Sequence, residues 1–248
     1  MKKIFTLALA LVVACSAASA QQLFSSKEGQ VLSYKHIETK EKKELTGTSK
    51  VVSVQTAADG IVTVRMEDKT SDPANPLHEQ TMYSGFRFNP ADTVTTAVIM
   101  TGDDFKTFML DMIKQGAEAA GQFLSDAQMA EVADALKVSG EVALPLRPNA
   151  VEGQTFPNST LRCTMGPQSM KLLLCKGKYL GTEEIEVPAG KFNCVKVSYQ
   201  VRSTGMGPDV PDQYVTAWYA PGVGLVREID ADKKGNARSE QVLTAISE

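Results

Sequence analysis

Apolar and polar residues alternate along most of this chain, and the alternation breaks once, near its middle. Between residues 30 and 100 the period is two. Residues 30–37 alternate around Leu32, Tyr34 and His36, and residues 45–55 are rich in Thr and Val. Ile61, Val62, Val64 and Met66 follow the turn signal Ala58-Asp59-Gly60, and residues 81–88 and 93–100 make two further strand patterns joined at Asn89-Pro90. β-branched residues at period two predict half-buried antiparallel strands. Residues 69–76, with two prolines, predict a loop. From Asp103 the period becomes helical: Phe105, Phe108, Met109, Met112 and Ile113 share one face, and Asp103 and Asp104 suit the positive end of the helix dipole. A second helical pattern opens on Ser125, where Gln128 completes a capping box. Met129, Val132, Ala133 and Leu136 share its face, and Gly140 is its expected stop. Strand patterns then resume: 142–146, a hairpin of 160–164 with 170–175, a second of 182–187 with 192–201, a third of 213–219 with 224–229, and a last strand at 239–246.

Successive hairpins imply a meander, and a meander this long must twist and curl. The expected fold is mainly β: one strongly curved antiparallel sheet or half-barrel, with the helical segment, about 103–137, packed on its concave face. The expected organisation is a signal peptide at 1–20 and a single β-rich domain at 21–248. That domain has two strand-rich halves, about 28–100 and 140–248, joined by the helices. Gly47-Thr48 and Gly181-Thr182 open similar strand–turn–strand patterns, which fits either a duplication or two hairpins of like length.

The first twenty residues alter this picture by placing the protein. Lys2 and Lys3 precede an apolar stretch from Ile4 to Ala14, too short to span a bilayer, and Ala18-Ser19-Ala20 supplies small residues for cleavage before Gln21. The chain is expected to be exported, to the periplasm or cell surface, with no transmembrane segment in its mature form. Val12-Val13-Ala14-Cys15 offers the competing possibility of a lipid anchor at Cys15. Removing Lys2 and Lys3 takes the net charge from −3 to −5, and such a surface gives no electrostatic case for nucleic acid. Cleavage after Ala20 leaves Cys163, Cys175 and Cys194. Cys163 and Cys175 flank a turn and are candidates for a cross-hairpin disulfide, against the alternative that all three thiols are reduced and buried. Cys194 reads as a small buried hydrophobe.

Three segments carry a family resemblance. They are Leu144-Pro145 followed by Val151-Glu152-Gly153-Gln154-Thr155, then residues 187–194 (VPAGKFNC), then residues 218–226 (WYAPGVGLV). In this order they resemble the TapB-like, DUF3108-like group of exported bacterial envelope proteins, over residues 140–230. The resemblance implies a β-rich envelope protein with no settled activity and no family catalytic residues to carry over. Read as residues alone, Pro188 and Gly190 form a tight turn, Gly222 and Gly224 allow a bulge, and Trp218 is a core aromatic ahead of a ligand contact.

Candidate chemistry is sparse. His36 and His78 lie near no nucleophile motif, and phosphate-loop, dinucleotide-binding and zinc-peptidase motifs are missing from the sequence. Glu184 and Glu186 share a strand face that reads as solvated. Asp68, Asp72 and Asn75 could crowd a calcium loop but lack its regular spacing. No cofactor, metal or catalytic residue is expected. The remaining feature is the Phe/Met helix face. Phe105, Phe108, Met109, Met112 and Ile113 could line a cavity for a lipid or other apolar ligand, or simply pack on the sheet. The expected function is thus a non-catalytic envelope protein binding an apolar ligand. The alternative is an assembly component contacting another envelope protein, and a hydrolase is a distant third.

Overall fold

The computed structural model describes residues 23–248 apart from 74 and 206–210; the signal segment and Cys15 lie outside the described residues. Twelve antiparallel strands close into a barrel: β1 (Val31–Glu38), β2 (Lys43–Thr56), β3 (Val62–Asp72), β4 (Asn75–Phe88), β5 (Thr95–Thr101), β6 (Leu136–Leu146), β7 (Ser159–Met165), β8 (Gln168–Val187), β9 (Gly190–Thr204), β10 (Gln213–Ala220), β11 (Gly224–Ala231) and β12 (Ala237–Ser247). Each strand pairs with its sequence neighbours, and β12 returns to β1 with Leu32 opposite Ile246 and His36 opposite Gln241. The mainly β, strongly curved meander is as expected; its curvature carries through to closure, which pairs edges that an open sheet would leave exposed.

Alternation decides what faces inward. On β1 Leu32, Tyr34 and His36 share a face, and on β3 so do Val62, Val64, Met66 and Asp68. On the outside, cross-strand ion pairs such as Arg227–Glu240 (2.7 Å), Lys196–Glu183 (2.9 Å) and Arg87–Glu141 cover the surface. An apolar inner face with an ionic outer face reverses the pattern of a membrane barrel. Among the described residues, no helix is long and apolar enough to cross a membrane.

Two helices, α1 (Gly102–Ala119) and α2 (Asp126–Ala135), join β5 to β6. Thr101 caps α1, accepting from the Asp104 amide (3.1 Å) while Arg65 pairs with the Asp104 carboxylate (2.5 Å). Strand β5 pairs with β4 only over Gly85–Phe88, although β4 continues on β3 back to Asn75. Helix α1 packs against β4, β5 and β6 there, and Phe105 joins the continuous core. The capping box of α2 is present, with the Ser125 hydroxyl accepting from the Gln128 amide and Gln128 Oε1 accepting from the Ser125 amide. Because no residue of α2 is buried, local bonds carry much of its stability. Ser125→Ala is expected to cost about 1 kcal/mol and to speed amide exchange across residues 126–135 ahead of the strands.

Four local expectations change. Leu136 leaves the helix and starts β6 as a fully buried residue. Gly140 stops nothing; it lies within β6 at φ +80°, where a Cβ would meet the Thr160 carbonyl oxygen at 2.1 Å. The loop expected over 69–76 shrinks, since β3 runs to Asp72 and β4 resumes at Asn75. The strands expected at 170–175 and 182–187 are one strand, β8, whose pairing with β9 slips at two bulges.

Candidate ligand-binding lumen

Eight-stranded barrels are just filled by their own side chains, and interior width grows with strand number. Twelve strands leave space here. A cavity of about 520 Å³ lies within the ring, inside the roughly 300–1,000 Å³ range of small-molecule sites. Its lining includes His36 and Thr70, near the C-terminal ends of β1 and β3, and Gln213 and Ser239, at the N-terminal ends of β10 and β12. These strand ends share one rim of the barrel. Toward the other rim lies Phe24, stacked on Phe86 with ring centroids 4.6 Å apart and tilted against Tyr219 at 5.7 Å. Gly224 permits this: a Cβ there would stand 2.7 Å from the Phe24 ring.

The wall is mostly apolar, with Leu32, Met66, Ile99, Met100, Val142 and Val215 among its residues. Polar groups form three small hydrogen-bonded sets within it. Tyr199 donates to Glu228 Oε2 (3.1 Å), the Tyr219 hydroxyl hydrogen-bonds that of Tyr199, and Tyr34 donates to the Leu225 carbonyl (2.9 Å). Asp68 accepts from the Ser49 hydroxyl and also bonds Ser84. Burial sets the protonation of all these groups, because a low-dielectric surrounding penalises the charged form. It pushes the Glu228 carboxyl up to about 6 against the help of the Tyr199 hydrogen bond. It raises Asp68 and Asp230, and it raises Tyr34, Tyr199 and Tyr219, which stay neutral donors. The same burial lowers His36, favouring the neutral ring. That ring occupies the space left by Gly47, whose Cβ would stand 2.5 Å from His36 Nε2.

The residues picked from sequence are placed elsewhere. Phe105 is 3% exposed and belongs to the core; Phe108 and Met109 are half-buried against it, Ile113 is half-buried, and Met112 is 50% exposed. None of the five lines the lumen. Phe108 lines a separate groove of about 200 Å³ between α1 and β4, which shares Met82, Tyr83 and Met100 with the lumen wall. The β-sheet register does not bring Cys163 and Cys175 together: Cys163 faces Met170 across β7–β8 and Cys175 faces Gln200 across β8–β9. Both are free and buried, as is Cys194, whose thiol burial pushes up to about 12, well away from a reactive thiolate. Asp68 points to the lumen rather than a calcium loop, Asp72 pairs with Lys43 (3.1 Å), and no metal-holding cluster exists among the described residues. Glu184 and Glu186 are exposed. Trp218 faces outward, donating to Glu183 (2.9 Å) between Lys196 and Arg227, a structural setting.

What the sequence reading missed had a signal. His36 continues the inward parity of Leu32 and Tyr34, and Asp68 continues that of Val64 and Met66. A polar residue on the buried parity near a strand end marks a polar region inside a barrel. On β11 the signal is hidden, because a bulge between Leu225 and Arg227 shifts Glu228 and Asp230 out of phase with Leu225.

A family model described as DUF3108-like matches residues 27–243. The chain belongs to the DUF3108-like family. Solved structures agree with the fold of this DUF3108-like protein. A predicted lipoprotein of Parabacteroides distasonis ATCC 8503 is 18% identical, with TM-score 0.63, over 92% of this chain and 99% of its own. A predicted exported protein of Bacteroides fragilis NCTC 9343 with a YmcC-like fold is 20% identical, with TM-score 0.60, over 91% and 98%. A comparison with curated proteins finds no match.

Proposed function

We propose that this DUF3108-like protein is an exported, non-catalytic binding protein that holds an apolar ligand inside its barrel. The observation that carries the reading is the lumen: about 520 Å³, apolar for most of its wall, with a small set of fixed polar groups. That combination, apolar contact for affinity and few polar groups for orientation, is the usual make-up of a small-molecule site. The names of the two structural neighbours, a lipoprotein and an exported protein, support a place in the envelope. Tyr34, Tyr199 and Tyr219 stay neutral hydrogen-bond donors in the lumen wall, a role that suits holding a ligand.

Native mass spectrometry of the protein purified from an exporting bacterium is expected to show a non-covalent adduct. A neutral, environment-sensitive naphthylamine dye is expected to bind in its place after delipidation. Ala97→Phe, which adds bulk to the lumen wall, should weaken dye binding about tenfold. A bare polypeptide mass together with no dye uptake overturns the reading.

A further inference from the structure

The lumen's charge is one-sided. Among the described residues three carboxylates line it, Asp68, Glu228 and Asp230, with one cationic side chain, Lys69. Lys69 is already engaged, with Nζ 3.5 Å from Glu79 and 3.6 Å from Glu67. Glu228 receives one hydrogen bond among the described residues, from Tyr199 to Oε2. Asp230 takes backbone hydrogen bonds from Tyr214 and Ala231, while its Oδ1 is buried with no hydrogen-bond partner. Arg238 lies close enough to act on Asp230 electrostatically, but its guanidinium donates to the Asp212 carbonyl (3.2 Å). A barrel that needed only apolar capacity would do better with Gln or Leu at these positions, since withdrawing a carboxylate from water without an ion-pair partner is costly.

We infer that the lumen takes an amphiphile with a protonated amine head, lodged against Glu228 and Asp230 with its hydrocarbon chain along Leu32, Met66 and Val142. The inference rests on the binding reading above and names the ligand class. An ammonium group supplies three donors and one positive charge. It would satisfy Asp230 Oδ1, neutralise Glu228 and leave the Tyr199 hydroxyl in place as the carboxylate's second partner. Charge-assisted hydrogen bonds of this kind are about twice as strong as neutral ones. The apolar wall explains why a simple inorganic cation is the poorer occupant, and the carboxylates explain why a fatty acid is.

Displacement of the neutral dye by dodecylamine, dodecanol and dodecanoic acid, each below its micelle concentration at about pH 7.5, tests this; the amine is fully protonated there. Dodecylamine should displace the dye about tenfold or more tighter than dodecanol, and dodecanoic acid should be weakest. In Glu228→Gln the amine's advantage should fall to within about threefold while dodecanol is unchanged; Asp230→Asn is the second variant and should act in the same direction. If the alcohol or the acid matches the amine, the amine head is overturned and the apolar site stands. If the preference survives in both variants, the placement of the head is overturned. If none of the three displaces the bound dye, the amphiphile class is overturned, while the apolar site still stands on dye uptake itself.

Discussion

Phe105→Ala should cost about 3–5 kcal/mol of stability, the range for emptying a buried phenylalanine site. Phe105 is 3% exposed and is the one buried residue of α1. Its ring sits 6.3 Å from that of Phe108, and both join the core shared with the barrel. The rest of the helix is held by its Thr101 cap, the Arg65–Asp104 ion pair and half-buried Phe108, Met109 and Leu110. None of these replaces a buried ring, because an exposed or half-exposed ion pair is worth about 1 kcal/mol or less. Urea unfolding should therefore show a lower midpoint, and hydrogen exchange should show α1 losing protection before β8 and β9. Met112→Ala, at a half-exposed position of the same helix, should cost under about 1 kcal/mol. Equal losses for the two variants would mean that α1 is not anchored through Phe105. The consequence reaches beyond stability. Helix α1 packs beside the stretch of β4 that β5 leaves unpaired, and the groove under it shares three residues with the lumen wall, so loosening α1 should also loosen one side of the lumen.

Glu228→Gln should make the protein more stable at neutral pH, by up to about 2 kcal/mol. The direction follows from the carboxyl's folded-state value of about 6 against an ordinary 4.5. A carboxyl raised in the folded state binds its proton more tightly there than in the unfolded chain. Its contribution is thus fully present below about pH 4.5, and it is lost as pH rises through about 6. The groups facing it do not reverse this. Tyr199, Tyr219 and Tyr34 are neutral, Asp230 and Asp68 are raised in the same direction, and His36 is lowered toward its neutral form. Part of the Glu228 surface opens on the lumen, and water there trims the full figure. Denaturant midpoints from about pH 4 to 8 should show the wild-type protein losing stability across 4.5–6, and the Gln variant following a flatter line. A variant less stable than wild type at about pH 7.5 would count against this account. A stabilising substitution of a lumen carboxylate would also mark that carboxylate as retained for binding, since sites kept at a cost in stability are where function usually lies. The amine preference should fade over the same interval, because the proton that neutralises Glu228 removes the ammonium's partner.

Much of the fold was legible. The period-two runs from Leu32 to Met100 and from Val142 to Ile246 are strands, and the switch of period at Asp103 is α1. Ser125 with Gln128 is a capping box, because these signals depend on neighbours in sequence. The residues that line the lumen were less legible. The Phe/Met face of α1 has the composition of a ligand wall and also of a helix packed on a sheet, and periodicity does not separate the two. Cys163 and Cys175 flank a hairpin, yet whether they meet depends on register, and the register sets Cys163 against Met170.

The sequence by itself determined the strand–helix–strand order, the inward parity of strands free of bulges and the apolar character of the core, because alternation and helical period are properties of adjacent residues. Only the tertiary structure decided that the sheet closes, and with closure came the lumen. Ring formation requires β12 to find β1, a pairing of residues more than two hundred positions apart. The bulge before Arg227 turns Glu228 and Asp230 toward the ring's interior. The carboxylates acquire their meaning from what stands across the barrel from them, and that is set by the curvature of the whole sheet rather than by any residue beside them in the chain.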